Sequence, residues 1–412
     1  MATTQHPFRA YSASAATYFI SMGIGQVVIT WLVTVVLHET PERIGIMQTL
    51  SMLPTLLLLM VGGTMADRRD PRTILMVCHL IFAAHPMAMA WVIYEGYFSY
   101  DVMLAFALFG GLAGAFAMPA RDTLLTNVTQ GASMQKSVAF VNILQFGGQL
   151  VGILMAARAE VIGAEPLLVF QGFLLLLGLY FISRLAPVPR GPVAGGVGTA
   201  FSEMAEGAKA VWNEKTVRTL IACNMPAGMF YMGTFMVGLP LLARDVYDGG
   251  SAEIAMIQMG FMAGTVAGSM LIMRLSPVAR PARLIMLTML MSATVLTAIA
   301  MGLPFYGVVG MIFIWGMGAG ISMAMTRSIV QVSATPALRA RMLAVFQMTF
   351  MGAGPAGAIV MGFLISELGV LNSLFLPPIM SLTIFTIAFF GTNLWTLPMP
   401  TAKDDLAKQP SA

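Results

Sequence analysis

Apolar residues run through this chain in long blocks, and the charged residues fall between the blocks. A helix rises about 1.5 Å per residue, so about 20 residues cross a hydrocarbon layer about 30 Å thick. Blocks of that size lie at roughly 12–37, 44–66, 72–94, 101–120, 137–158, 166–186, 217–243, 252–273, 282–302, 305–326, 341–366 and 371–395. The pattern predicts an all-α polytopic membrane protein with twelve transmembrane helices. The cut at Gly302-Leu303-Pro304 is the least marked.

The charges between the blocks predict an orientation. With the N-terminus in the cytoplasm and the spans alternating, 19 of the 22 Lys and Arg fall in cytoplasmic loops and tails, and only Arg43, Arg158 and Arg244 fall outside. Short basic cytoplasmic loops are the usual signature of orientation. One missed span would scramble the bias downstream, so it supports both the count and an inner-membrane topology with both termini cytoplasmic. The basic loops face an anionic leaflet, so the net charge of +4 does not call for nucleic acid.

Composition agrees. Hydrophobic residues make up 58% and charged residues 10%, against about 25% charged in soluble domains. Cys78 and Cys223 sit in apolar runs without metal or redox spacing and read as small packing side chains. The 37 methionines are packing filler, some of them suited to an adaptable cavity wall. The first apolar block is too long for a signal h-region and reads as a retained span.

Residues 187–199 are rich in Pro and Gly and read as a linker. In the stretch that follows, Phe201, Met204, Ala208, Val211 and Trp212 recur at helical spacing between Glu203, Glu206 and Lys209. This predicts either an amphipathic helix on the membrane surface or an ordinary solvated linker helix. The expected organisation is an N-terminal six-helix half (1–186), a cytoplasmic linker (187–215), a C-terminal six-helix half (216–396) and a cytoplasmic tail (397–412). The halves echo each other: Met118-Pro-Ala-Arg-Asp122 ends span 4 and Ala324-Met-Thr-Arg-Ser328 ends span 10. A basic residue opens each following span (Lys136, Arg341), and both of those spans are rich in glycine.

The loop after span 2 reads Gly62-Gly-Thr-Met-Ala-Asp-Arg-Arg-Asp-Pro-Arg72. It resembles the signature loop of the major facilitator superfamily, Gly-x-x-x-Asp-Arg-x-Gly-Arg-Arg, at Gly63, Asp67, Arg68 and Arg72. Asp70 and Pro71 depart from it. The Pro-Ala-Arg string at 119–121, the form of the loop and Gly354-Pro355 are similar to the enterobactin-exporter-like and multidrug-like branch. The resemblance implies the superfamily fold, two six-helix halves rocking about a midplane site. It also implies a cytoplasmic gate in which Gly63 allows close helix approach, Asp67 faces the N-terminus of span 11, and a loop arginine, Arg68 or Arg72, pairs with Asp122. The equivalent loop after span 8 has Ile272 in place of the acid.

Polar side chains inside spans are costly unless they face a cavity or a partner. The resemblance puts spans 1, 5, 7, 8 and 11 around the cavity. Their polar residues are Gln26 and Thr30, then Asn142, Gln145 and Gln149, then Asn224 and Tyr231, then Gln258 and Gln347. These are the candidate substrate residues, with hydrogen bonding between helices as the alternative for each. Trp31, Phe230 and Phe346 are candidate aromatic surface, with packing favoured. No Asp, Glu, Lys or Arg lies near the middle of these spans, which argues against a strongly charged substrate. His79 and His85 sit in span 3, which is peripheral in the resembled fold.

The expected function is therefore secondary active transport: by resemblance, a proton-coupled exporter of small amphipathic, drug-like or siderophore-like compounds. An uptake carrier and a transporter-like sensor are the alternatives. A membrane enzyme would need clustered His, Asp or Glu at one face, which the sequence lacks. A nucleotide-binding glycine loop is lacking too. The expected partners are a small-molecule substrate and the bilayer, with no cofactor, no metal, no nucleic acid and a monomeric state.

Overall fold

The computed structural model describes residues 5–129, 134–188, 197–275, 278–334 and 338–396. Among these residues every regular element is a helix. They are α1 (Gln5–Trp31), α2 (Pro41–Arg68), α3 (Pro71–Tyr94), α4 (Tyr100–Val128), α5 (Met134–Ala156), the short α6 (Ala159–Ile162), α7 (Ala164–Ser183), α8 (Val197–Asn213), α9 (Lys215–Gly233), α10 (Leu239–Tyr247), α11 (Ser251–Leu275), α12 (Pro281–Ala300), α13 (Phe305–Ser333), α14 (Arg339–Leu368), the short α15 (Val370–Ser373) and α16 (Leu376–Gly391). Among the described residues eleven helical stretches are long and apolar enough to span a bilayer, and the apolar part of α5, Phe140–Ala156, is a shorter one. α9 and α10 form one span, as do α15 and α16.

Helix ends explain where the sequence boundaries were short. α4 and α13 run on past Arg121 and Arg327 to Val128 and Ser333. A helix does not stop where lipid stops, because its backbone hydrogen bonds remain satisfied in water. Asp70 and Pro71, the two departures from the family loop, together start α3. Pro71 occupies the first turn, where its missing N–H is no loss. The Asp70 carboxylate accepts from the backbone N–H of Arg72 at 3.1 Å and of Val188 at 3.2 Å, satisfying donors that a helix start leaves open.

The chain divides into two compact units. The first comprises Met1–Phe201, Phe235–Met259 and Ala358–Val370; the second comprises Ser202–Thr234, Gly260–Gly357 and Leu371–Ala412. In the first unit α1 packs on α5 and α2 on α4. Both pairs approach to backbone contact: a Cβ built on Gly152 lies 2.1 Å from the Ile20 carbonyl oxygen, and one on Gly62 lies 2.1 Å from that of Ala115. The second unit repeats the pairing. A Cβ built on Gly357 of α14 would lie 2.0 Å from the Met229 carbonyl oxygen of α9, and one on Gly316 of α13 would lie 2.2 Å from that of Phe261 in α11. Small residues at crossings allow the close contact by which helices associate in lipid.

A π-helical turn interrupts the first span of each half, at Leu32–Val36 and Thr234–Gly238. Such turns re-aim side chains and are frequent at functional sites. Outward-facing side chains include Leu57, Leu80, Phe173, Ile387 and Phe390, all exposed, as a bundle solvated by lipid requires. Trp91, Tyr94 and Tyr97 are exposed near one end of the bundle, at the level where aromatic belts form.

The helix of the linker docks onto protein. In the second unit Val211 of α8 is buried with Val217, Val330, Met342 and Phe346. Arg341 pairs with Glu206 and, at 3.6 Å, with Glu203. Trp212 stays exposed. The amphipathic pattern is thus satisfied by α14 as well as by solvent. Residues 189–196, the 397–412 tail and the side chain of Phe201 lie outside the described residues.

Candidate substrate cavity

A cavity of about 400 Å³ lies within the first unit. Its walls come from α1, α2, α3, α4, α5, α7, the second π turn with α10, and the start of α11. Four of the candidate residues meet there: Gln26, Thr30, Gln149 and Gln258. Thr30 turns its hydroxyl back onto the Gln26 carbonyl at 2.7 Å. Asn142 and Gln145 lie on α5 but not on the wall. They sit one to two turns along the helix from Gln149, and a rise of about 5.4 Å per turn carries them past the cavity. Asn224, Tyr231 and Gln347 belong to the second unit. There the Tyr231 hydroxyl accepts a hydrogen bond from Ser381 at 2.9 Å and its ring packs on Trp315.

The wall also holds residues the sequence reading did not select: Gln48 and Ser51 from α2, His85 from α3 and Gln171 from α7. Glutamine is the wall's main polar side chain, contributed by five helices. Met22, Met47, Met89, Met103 and Met236 supply flexible apolar surface, and Phe82, Phe106 and Phe235 supply the aromatic surface. Trp31 and Phe346 are instead buried in packing. Among the described residues no Asp, Glu, Lys or Arg lines the cavity.

Among the described residues His85 is therefore the wall's one titratable side chain. It lies 2.8 Å from the Phe106 carbonyl through Nε2. A carbonyl only accepts, so Nε2 carries the proton and Nδ1 is the nitrogen left to gain one. His79, six residues earlier, is not on the wall. It is buried and lies within hydrogen-bond distance of Ser14 at 3.4 Å and the Leu75 carbonyl at 2.9 Å.

At the end of the first unit remote from the N-terminus, hydrogen bonds tie distant parts of the sequence together. Arg244 at the end of α10 donates to the carbonyls of Thr34 at 2.8 Å and Glu39 at 2.9 Å. Thr34 belongs to the first π turn, and Asp245 holds the guanidinium from its other side. Nearby, the Glu160 carboxylate accepts from the Ser251 backbone N–H and the Ser251 hydroxyl accepts from the Glu160 N–H, both at 3.3 Å. A Cβ on Gly45 of α2 would lie 2.4 Å from the Ala358 carbonyl of α14. Strands of sequence from both halves thus converge at this end.

The motif loop has a different geometry from the one its family pattern implies. A Cβ on Gly63 would meet nothing within 4 Å, whereas the neighbouring Gly62 touches α4. The close approach therefore belongs to Gly62, because that residue faces the Ala115 backbone. Arg72 directs its guanidinium to the carbonyls of Ser183 at 2.8 Å and Ile182 at 3.4 Å, at the C-terminus of α7, where a cation is favoured by the helix dipole. Arg68 and Asp122 are exposed, and among the described residues no ion pair joins Asp122 to Arg68 or Arg72. The side chain of Asp67 lies outside the described residues. Arg121 and Arg327, matched in sequence, differ in setting. Arg121 stacks 3.5 Å above the Tyr18 ring, and Arg327 is exposed.

A cavity walled by membrane-length apolar helices and side-chain amides has the build of a membrane transporter for small molecules. The chain belongs to the Major Facilitator Superfamily, whose family model matches residues 11–358. It is 24% identical over 413 residues to the multidrug efflux pump Tap of Mycobacterium bovis (strain BCG / Pasteur 1173P2), covering 94% of this chain and 92% of that one. The Tap protein of Mycobacterium tuberculosis (strain CDC 1551 / Oshkosh) matches to the same extent. This likeness agrees with the multidrug-like branch. Among solved structures, the nucleoside transporter NupG matches with a TM-score of 0.78 at 15% identity, covering 93% of this chain and 98% of that one. A bacterial homolog of the human lysosomal transporter Spinster matches with a TM-score of 0.72 at 14% identity over 96% and 98%. These relatives are transporters, and the chain is not an enzyme.

Proposed function

We propose that this protein is a proton-coupled exporter of small amphipathic compounds that works by alternating access in an inner membrane, with both termini in the cytoplasm. The observation that carries the reading is the cavity itself. Amides and methionines wall it, and ties between the two halves close one end of it. A site near mid-membrane with a gate on one side is what alternating access requires. The likeness to Tap supports export, and the basic loops support the topology. In that topology the Arg244 end faces outward. The 187–215 segment then links the two six-helix halves on the inner side.

Proton coupling is assigned to His85. Among the described residues of α1, α2, α4, α5, α7, α10 and α11 no other titratable group reaches the wall. Imidazole changes charge near physiological pH. Protonation at Nδ1 would place a cation in the cavity and disfavour an apolar occupant.

The test is flux in sealed everted vesicles with an imposed pH gradient, across a panel of drugs and siderophores. Gradient-dependent accumulation of at least one compound is expected. Accumulation only with the gradient reversed would favour an uptake carrier, and no gradient-dependent flux of any compound would count against transport.

A further inference from the structure

We infer that the cavity selects uncharged ligands that carry N–H or O–H donors, and that it takes them on the side-chain amides of Gln171 and Gln258; this rests on the transport reading above. The two side chains come from different halves, Gln171 from α7 and Gln258 from α11. Both are more than nine-tenths buried, and both amide oxygens lack a hydrogen-bond partner among the described residues; closed to water as the side chains stand, they meet an occupant's donor once the amides turn toward the cavity. An unpartnered buried amide is costly, so a protein retains two on one cavity wall where an occupant satisfies them. Gly25 makes room for one of them. A Cβ there would lie 2.7 Å from Gln171 Nε2, so any larger residue on α1 would push the amide aside.

The rest of the wall decides the charge of the occupant. Among the described residues, a cation entering this cavity would lose its hydration and meet no carboxylate, and an anion would meet no Lys or Arg. Burying an unpaired charge is far more costly than burying a neutral polar group. His85 repels cations in its cationic form and offers an anion no charge in its neutral form, the form that receives the substrate in the coupling proposed above. Methionine and phenylalanine surface accepts varied apolar shapes, while the two acceptors demand donors. A site built to hydrogen-bond its substrate rejects analogues that lack the group, since its own polar atoms are then left unpaired.

The experiment measures saturable binding of two tritiated probes to the purified full-length chain in nanodiscs. Chloramphenicol is uncharged and carries an amide N–H and hydroxyls; tetraphenylphosphonium is a permanent cation without donors. Wild type is expected to bind chloramphenicol and not tetraphenylphosphonium. Gln171→Leu and Gln258→Leu are each expected to weaken chloramphenicol about tenfold, as the loss of one buried hydrogen bond implies. Gln145→Leu, off the wall, is expected to leave it unchanged. Gln258→Glu supplies the missing carboxylate and is expected to gain tetraphenylphosphonium binding, a readout that misfolding cannot produce. Equal binding of both probes by wild type, binding of neither, or chloramphenicol binding indifferent to both leucine variants overturns the inference. Everted-vesicle flux separates the two readings: gradient-driven transport of tetraphenylphosphonium would leave the transporter standing and remove the selectivity, whereas absence of all flux would remove the transporter.

Discussion

The Arg244 guanidinium donates to the backbone carbonyl of Glu39 at 2.9 Å, joining the end of α10 to the turn after α1. Hydrogen bonds from a charged donor contribute roughly 1.5–3 kcal/mol each, and Arg244 makes a second to Thr34. Losing both shifts a two-state gate by at least about tenfold. Arg244→Gln is therefore expected to raise labelling of a cysteine at Met236 by an impermeant thiol reagent applied outside intact cells. Unchanged labelling would show that this contact does not hold the gate.

Gly62 and Gly63 are neighbours with opposite surroundings, one against the α4 backbone and one in open space. Gly62→Leu is expected to destabilise the protein by at least about 1–3 kcal/mol through overpacking, and Gly63→Leu by much less. Thermal unfolding in detergent compares the two directly. Equal loss would mean that the motif glycine, too, sits at a helix crossing.

Asp70 caps α3 and also holds the Val188 backbone N–H. Asp70→Ala is expected to cost about 0.5–2 kcal/mol, and Asp70→Ser only part of that. Denaturation midpoints measure both. The family glycine at this position, Asp70→Gly, is expected to lose the link to Val188.

His85→Gln keeps a donor for the Phe106 carbonyl but removes the titration. Concentrative flux under a pH gradient is expected to fall at least tenfold, while exchange of internal for external substrate without a gradient continues. Loss of both activities would point to a packing role for His85.

How much of this was legible beforehand depends on which physics acts locally. The bilayer imposes a length on each apolar block, so most span ends could be read to within about a turn, whereas α1 begins about two turns earlier and α4 and α13 continue as helices beyond the apolar blocks. The cavity was read in part. Gln26, Gln149 and Gln258 stood out because an amide inside an apolar block is costly without a purpose. Gln171 and His85 met the same criterion, but they lie on helices that the family pattern places at the periphery. Asn142 and Gln145 share a stripe with Gln149 but not its depth, and depth along a helix is set by packing. The pairing of Arg72 with α7 carbonyls rather than with an acid was equally out of reach, because it depends on where the end of a different helix comes to rest.

The central claim is that substrate passes through the cavity of the first unit. The direct measurement places a single cysteine at Gln26, with Cys78 and Cys223 replaced by serine, and follows gradient-driven flux before and after a bulky thiol reagent. Flux is predicted to stop on modification and to be protected by saturating substrate. Undiminished flux through a chain with fully modified Cys at that position would contradict the account.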